Sequence, residues 1–273
     1  MLDSLSTKIC SVFFLLLVST TTSLVHAQQS VDHSIWNRIL KITVTHDGWV
    51  DYQRIRDEFT GELKEYITYL GNVSPENLDT AKEQKAFWIN AYNALTVQKL
   101  LDAGLPAKVP KAAFFGKNIF KERTYRVGRK LRSLDDIEHG ILRKRFKDNR
   151  IHAELVCGAS SCPRLRAEAY TAGELDSQLD EEARRWVQTG LTRQGQRKNY
   201  LDRENDTYYV SKIFNWFAED FGGDDKGVLQ FLTRHGSDED RVFLKNNRVQ
   251  VRYLKYDWSL NSRPEKAKGT ILN

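Results

Sequence analysis

The sequence predicts an α+β, helix-rich single domain built around a buried central helix, about residues 78–104, with a small, mainly antiparallel sheet. Three observations carry this expectation. A long segment, Leu78 to Leu105, has helical character and becomes apolar on nearly every side in its second half (Phe87, Trp88, Ile89, Tyr92, Leu95, Val97, Leu100), as expected for a helix surrounded by protein. Shorter amphipathic segments on either side follow a 3.6-residue period. Short alternating runs broken by Gly or Asn-Asp read as hairpins.

The elements follow in order. Lys8 precedes an apolar run, Val12 to Val18, and Val25-His26-Ala27 forms a small-x-small cleavage site, so residues 1–27 read as a signal peptide. The apolar run is shorter than the ~20 residues a bilayer span needs, so no stable membrane span is expected after cleavage. The remainder, 28–273, reads as one exported globular domain, periplasmic or secreted. Net charge is +6, with 42 Lys and Arg interleaved among 36 Asp and Glu. Nucleic acid is an improbable partner outside the cell; an envelope small molecule, peptide or glycan fits better.

Residues 33–42 predict a short helix, His46 to Tyr52 a turn, and Tyr52 to Leu70 a second helix. Ser74-Pro75-Glu76 reads as an N-cap with proline at the first helical position, leading into the central helix. Asn90 and Asn93 sit inside that helix, three apart and so on neighbouring positions of one surface. Buried amides demand fixed partners; they would pin adjacent backbone or orient a substrate carbonyl.

Thr124 to Leu134 reads as a hairpin around Gly128, after which Ser133 and Asp136 form a capping box. At 100° per residue the following helix turns Leu134, Ile137 and Ile141 inward. Glu138 falls inside that arc and His139 beside it. A carboxylate there needs an arginine partner or a raised pKa, and could serve as general acid or base. Arg150 to Cys157 alternates like a strand, which would put His152 and Cys157 on opposite faces.

Thr171 and Glu174 suggest another capping box, opening a helix that turns Leu175, Leu179, Ala183, Trp186 and Val187 inward. A hairpin near Glu204-Asn205-Asp206, an aromatic helix closed by Gly222-Gly223, a further small helix and a strand-like end (Arg248 to Asn261) complete the chain.

Chemistry concentrates in Ile151-His152-Ala153-Glu154-Leu155-Val156-Cys157-Gly158-Ala159-Ser160-Ser161-Cys162-Pro163. Cys157 and Cys162 are the cysteines that remain after signal removal. In an oxidising compartment two such thiols can form a disulfide, and five residues through Gly158 permit the approach. A reactive thiolate is the rival reading, with N–H groups of the Gly158–Pro163 turn as oxyanion donors. No second ligand pair stands at zinc-finger spacing, and no metal or cofactor is assigned.

Five segments in this order and character, "FWINAYNALTV", "LDDIEHGILR", "IHAELVCGASSCP", "VSKIFNWFAEDFG" and "YLKYDWSLN", resemble the domain-of-unknown-function 547 family over roughly Trp36 to Asn261. The resemblance places Asn90, Tyr92, Asn93, Glu138, His139, His152, Cys157, Ser161, Cys162 and Pro163 on the family's characteristic positions, and implies a fold and a site location but no reaction.

Two functions remain in view. One is a cysteine- or histidine-dependent hydrolase or acyl transferase acting on an envelope amide or ester. Cys157 or Cys162 would be its nucleophile, His139 or His152 the base, and Glu138 or Glu154 the orienting carboxylate. Asn90, Tyr92, Asn93 and Ser161 would contact substrate. The other is a non-catalytic binding or scaffolding module with a structural Cys157–Cys162 bridge.

Overall fold

The computed structural model describes residues 30–109 and 119–263, so the expected signal peptide lies outside the described residues. The architecture is α+β, as the patterning indicates. Its centre is the helix Ala81–Asp102, in which every residue from Glu83 to Leu100 is buried. The capping position differs from the expected one. Ser74-Pro75 opens only a short 3-10 turn, Pro75–Asn77; the central helix starts at Ala81, where Thr80 and Glu83 form a reciprocal capping box. Gly104, at φ +74°, ends it.

Burial on all sides forces each polar side chain of this helix to find a partner. Lys85 pairs with Asp148. Lys99 donates to the Glu122 carbonyl at 2.9 Å, and Gln84 to the Leu78 carbonyl at 3.0 Å. The helices Ser34–Thr43 and Thr60–Asn72 cover one flank, with Trp36 stacked on Tyr66 (centroids 6.1 Å apart, 8° between planes). The hairpin β1 (Tyr125–Val127) and β2 (Lys130–Arg132) is tied to that flank by Gly128 N–H donating to the Leu70 carbonyl, 3.0 Å.

The other flank carries the helices Leu175–Gln188 and Asp225–His235. They join through an aromatic cluster in which Trp186 stacks on Phe214 at 4.7 Å and Phe214 meets Phe231 at 5.6 Å. The five inward positions expected on Leu175–Gln188 are all buried. β3 (Tyr200–Asp202) pairs antiparallel with β4 (Thr207–Val210), which pairs parallel with β5 (Gln250–Tyr253).

Four local expectations are corrected. The segment around His152 is not a strand but a 3-10 turn, Asn149–Ala153. Asp148 caps it by accepting the Arg150 N–H, while Arg150 bonds Asp148, Asp176 and Asp180; these local ion pairs outweigh the alternating apolar pattern. The opposite-face argument against His152 and Cys157 therefore falls. The helix after Ser133 starts on its expected capping box but widens into a π-helix, Glu138–Phe146. With hydrogen bonds spanning five residues, Leu142 is fully buried and Ile141 only half-buried. Thr171 makes no capping box, since its N–H donates to Gln178 Oε1 instead. A helix at Asp238–Asn246, capped by Ser237, was not anticipated.

Candidate active site

The central helix sets the site in place. Asn93 donates to the Glu154 carbonyl (2.9 Å) and accepts from the Val156 N–H (3.0 Å), so the chain entering Cys157 is clamped at both sides of Leu155. Gly158 follows at φ +84°, where an added Cβ would lie 2.5 Å from Leu100 Cδ1; only glycine lets the backbone turn this close to the helix. The turn is then locked from the C-terminal side. Ser160 N–H donates to Ser259 O (2.7 Å), Ser161 N–H to Asp257 O (3.1 Å) and Asn261 N–H to Gly158 O (2.8 Å). Asp257 N–H returns a bond to Ser161 Oγ at 2.8 Å.

Tyr256 and Trp258, two apart along that extended segment, join Cys157 and Cys162 around a cavity of about 240 Å³. Trp216 completes an aromatic triangle, 4.8 Å from Tyr256 and 5.6 Å from Trp258, with Tyr256 and Trp258 4.5 Å apart. Tyr92, Glu138, His139 and His152 form the polar side of the lining, with Phe217 beside the two histidines. The Tyr92 hydroxyl donates to Glu138 Oε2 at 3.0 Å, so Glu138 has a phenol where an arginine was expected.

The two thiols are free and differ in character. Hydrogen bonding from the Cys162 side chain, then from the Tyr256 hydroxyl and Ala159 N–H, lowers the Cys157 pKa against the opposing pull of burial. The Tyr256 oxygen lies 3.4 Å from Cys157 Sγ. Cys162 is fully enclosed, and burial pushes its thiol well up; its sulfur accepts the Cys157 N–H at 3.0 Å. Cys157 is therefore the better thiolate.

The histidines differ too. His152 is buried, with Nε2 2.7 Å from Asp220 Oδ2. His152 and the Arg143 guanidinium hold the Asp220 carboxyl well below the usual range, although burial opposes them. Arg143 grips both Asp220 oxygens, 2.5 and 3.0 Å. Its Nη1 also lies 2.8 Å from His139 Nδ1. A guanidinium can only donate, so His139 Nδ1 accepts, and the neutral ring carries its proton on Nε2, 3.5 Å from Asp135. That arrangement leaves His139 without a free lone pair. Phe217 stands between the two imidazoles, 5.8 Å from His139 and 4.2 Å from His152.

The structure thus brings together Cys157, Cys162, Glu138, His139, His152 and Tyr92. It does not bring Asn90, Asn93 or Ser161 to this cavity. Asn90 exchanges two bonds with the Tyr170 backbone (2.8 and 3.0 Å), and Asn93 is spent as described; neither amide end is left for substrate. Ser161 lines a separate depression with Lys198 and Lys255. Glu154 is enclosed beneath the site, hydrogen-bonded by Tyr170, and burial followed by Glu182 raises its carboxyl well above the carboxylate range. The cysteine turn does not offer the expected row of oxyanion donors either, because the N–H groups of residues 160–162 already bond backbone carbonyls.

Asp220, Arg143, Phe217 and the aromatic triangle were missed as site residues. The segments that carry them were singled out by resemblance, but no spacing rule links Asp220 to a histidine 68 residues earlier. Among the described residues no group of three or more His, Cys, Asp or Glu could hold a metal ion, and no helix is long and apolar enough to cross a membrane.

Residues 75–187 match the model of a family described as a protein of unknown function, DUF547. The match takes in the central helix, Glu138, His139, His152 and both cysteines; it stops before Asp220 and the aromatic triangle. No curated protein and no solved structure matches the chain.

Proposed function

We propose that the protein is a cysteine-dependent hydrolase or acyl transferase acting on an amide or ester in the cell envelope. One observation carries the reading: the more acidic thiol, Cys157, lines the same cavity as an imidazole already oriented by a carboxylate, His152 with Asp220. This is the nucleophile–base–orienter logic of acyl transfer. With Nε2 bonded to Asp220, Nδ1 is the ring nitrogen of His152 left for proton exchange.

In the proposed reaction Cys157 Sγ attacks the substrate carbonyl carbon as its proton passes to His152. The tetrahedral intermediate collapses to a thioester, and the amine or alcohol leaves with the proton returned by His152. Water, or an acceptor amine or alcohol, then attacks the thioester with His152 again taking the proton, and the thiol is regenerated. The Tyr256 hydroxyl beside the sulfur is a donor for the developing oxyanion. Trp216, Tyr256 and Trp258 suit a substrate with a flat or ring-shaped apolar face.

Alkylation by iodoacetamide, read by mass spectrometry across pH on the native protein, tests this. Cys157 should react first, with an apparent pKa below the ordinary thiol value of about 8.5, and its modification should abolish turnover of model esters and amides. A native protein isolated with Cys157 and Cys162 bridged, or a Cys157 no more reactive than Cys162, would return the protein to the binding-module reading.

A further inference from the structure

A second cavity, about 270 Å³, lies behind the cysteine turn and shares no lining residue with the first. Lys198 links the two regions, since its ammonium donates to the Cys162 carbonyl while the lysine lines the second cavity. The chemistry of this lining is lopsided. Arg164, Arg185, Arg193 and Lys198 face two acids, Asp47 and Glu182. Glu182 is already taken, bonded by Arg164 and by Arg166, and Asp47 is exposed.

Three of the cations make their hydrogen bonds to neutral groups, Glu181 being the carboxylate that acts on Arg185 from outside the lining. Lys198 is buried and its hydrogen bond goes to a backbone carbonyl. Arg185 reaches His46 Nε2 at 2.8 Å and the His46 carbonyl, and Arg193 reaches Ser262 Oγ at 3.3 Å. Donors are left over as well. Arg185 Nε and the indole Nε1 of Trp186, both buried, have no acceptor among the described residues, and Trp186 is only 3% exposed. Buried donors without acceptors cost about 1–3 kcal/mol each, and desolvated cations without counter-charge cost more. A lining rich in donors and cations and poor in free acceptors fits a ligand made of acceptors. Burial already lowers the Lys198 ammonium to about 8, as expected for a cation short of a counter-ion.

We propose that this cavity binds a small oxyanion, a phosphate or carboxylate group, held by Lys198, Arg185 and Arg193 with the Trp186 indole as a further donor. No lining residue is shared with the thiol cavity, and the proposal does not rest on the catalytic reading.

Titration calorimetry of the mature protein with inorganic phosphate and with acetate, at constant ionic strength set by chloride, tests it. The expected result is saturable, stoichiometric binding by one or both ions. Phosphate alone would identify a phosphoryl ligand and acetate alone a carboxylate; both together would identify a general oxyanion pocket. Arg193→Ala, at an exposed position, should weaken binding at least about fivefold, and Arg185→Gln about tenfold or more. Cys157→Ser should bind like the parent. Absence of saturable binding below about 10 mM (−2.7 kcal/mol or weaker) would overturn the proposal, and so would binding unchanged in both arginine variants.

Discussion

The central helix and the wall of the thiol cavity are both rich in buried polar side chains, yet they use them differently. On the helix Asn90 and Asn93 spend both ends of their amides on backbone. In the cavity wall His152 spends one nitrogen on Asp220, and Cys157 holds its sulfur among donors at the edge of open space. A polar group bonded to backbone at both ends fixes structure. One that is oriented by a single strong bond and left with a free site has the form needed for chemistry.

That contrast can be broken or sharpened by substitution. The largest expected effect is Cys157→Ser, with activity on a model ester falling at least about a thousandfold, whereas Cys162→Ser keeps most of it. Equal losses would erase the distinction between the thiols. His152→Gln follows, with a loss of about 10²–10⁴ in kcat and a melting temperature near that of the parent; Asp220→Asn should lose less than His152→Gln. Asn93→Ala should do the reverse. It orphans a carbonyl and an N–H, costing about 2–5 kcal/mol in urea unfolding, while the folded fraction turns over normally. His139→Ala is expected to change kcat by less than about tenfold, because its acceptor nitrogen already receives Arg143.

The smallest effect concerns His235, buried with no acceptor or donor at Nε2. Burial lowers its pKa from 6.5 to about 4. The unfolded chain therefore takes up a proton below pH 6.5 that the folded one refuses, and stability drains away between about 6.5 and 4. His235→Phe should flatten that part of a melting-temperature profile; an unchanged slope would place the acid sensitivity elsewhere, His33 being the next group of the same kind.

Much of this organisation was legible in the sequence, and what failed did so for physical reasons. The central helix was readable because eighteen consecutive buried positions leave no polar stripe. The cluster of Cys157, His152, Glu138 and His139 was readable because unusual residue types crowd short segments. The roles of Asn90 and Asn93 were half readable: burial follows from the helix, but whether an amide meets backbone or substrate depends on what packs opposite. The 3-10 turn at Asn149–Ala153 was hidden by carboxylates at 176 and 180, supplied by another helix. Asp220 was illegible because its partner comes from tertiary packing alone.

The wide turn at Glu138–Phe146 has a consequence for how the site tolerates change in length. A π-segment accommodates one surplus residue in a helix, and here the surplus lies among Glu138, His139 and Arg143, which meet Tyr92, Phe217 and Asp220. Excising Gly140, where an added Cβ would touch nothing, would let the coil rewind and swing the guanidinium off the carboxylate. Here a deletion is far more damaging than a point change, and a single codon sets the alignment of the wall.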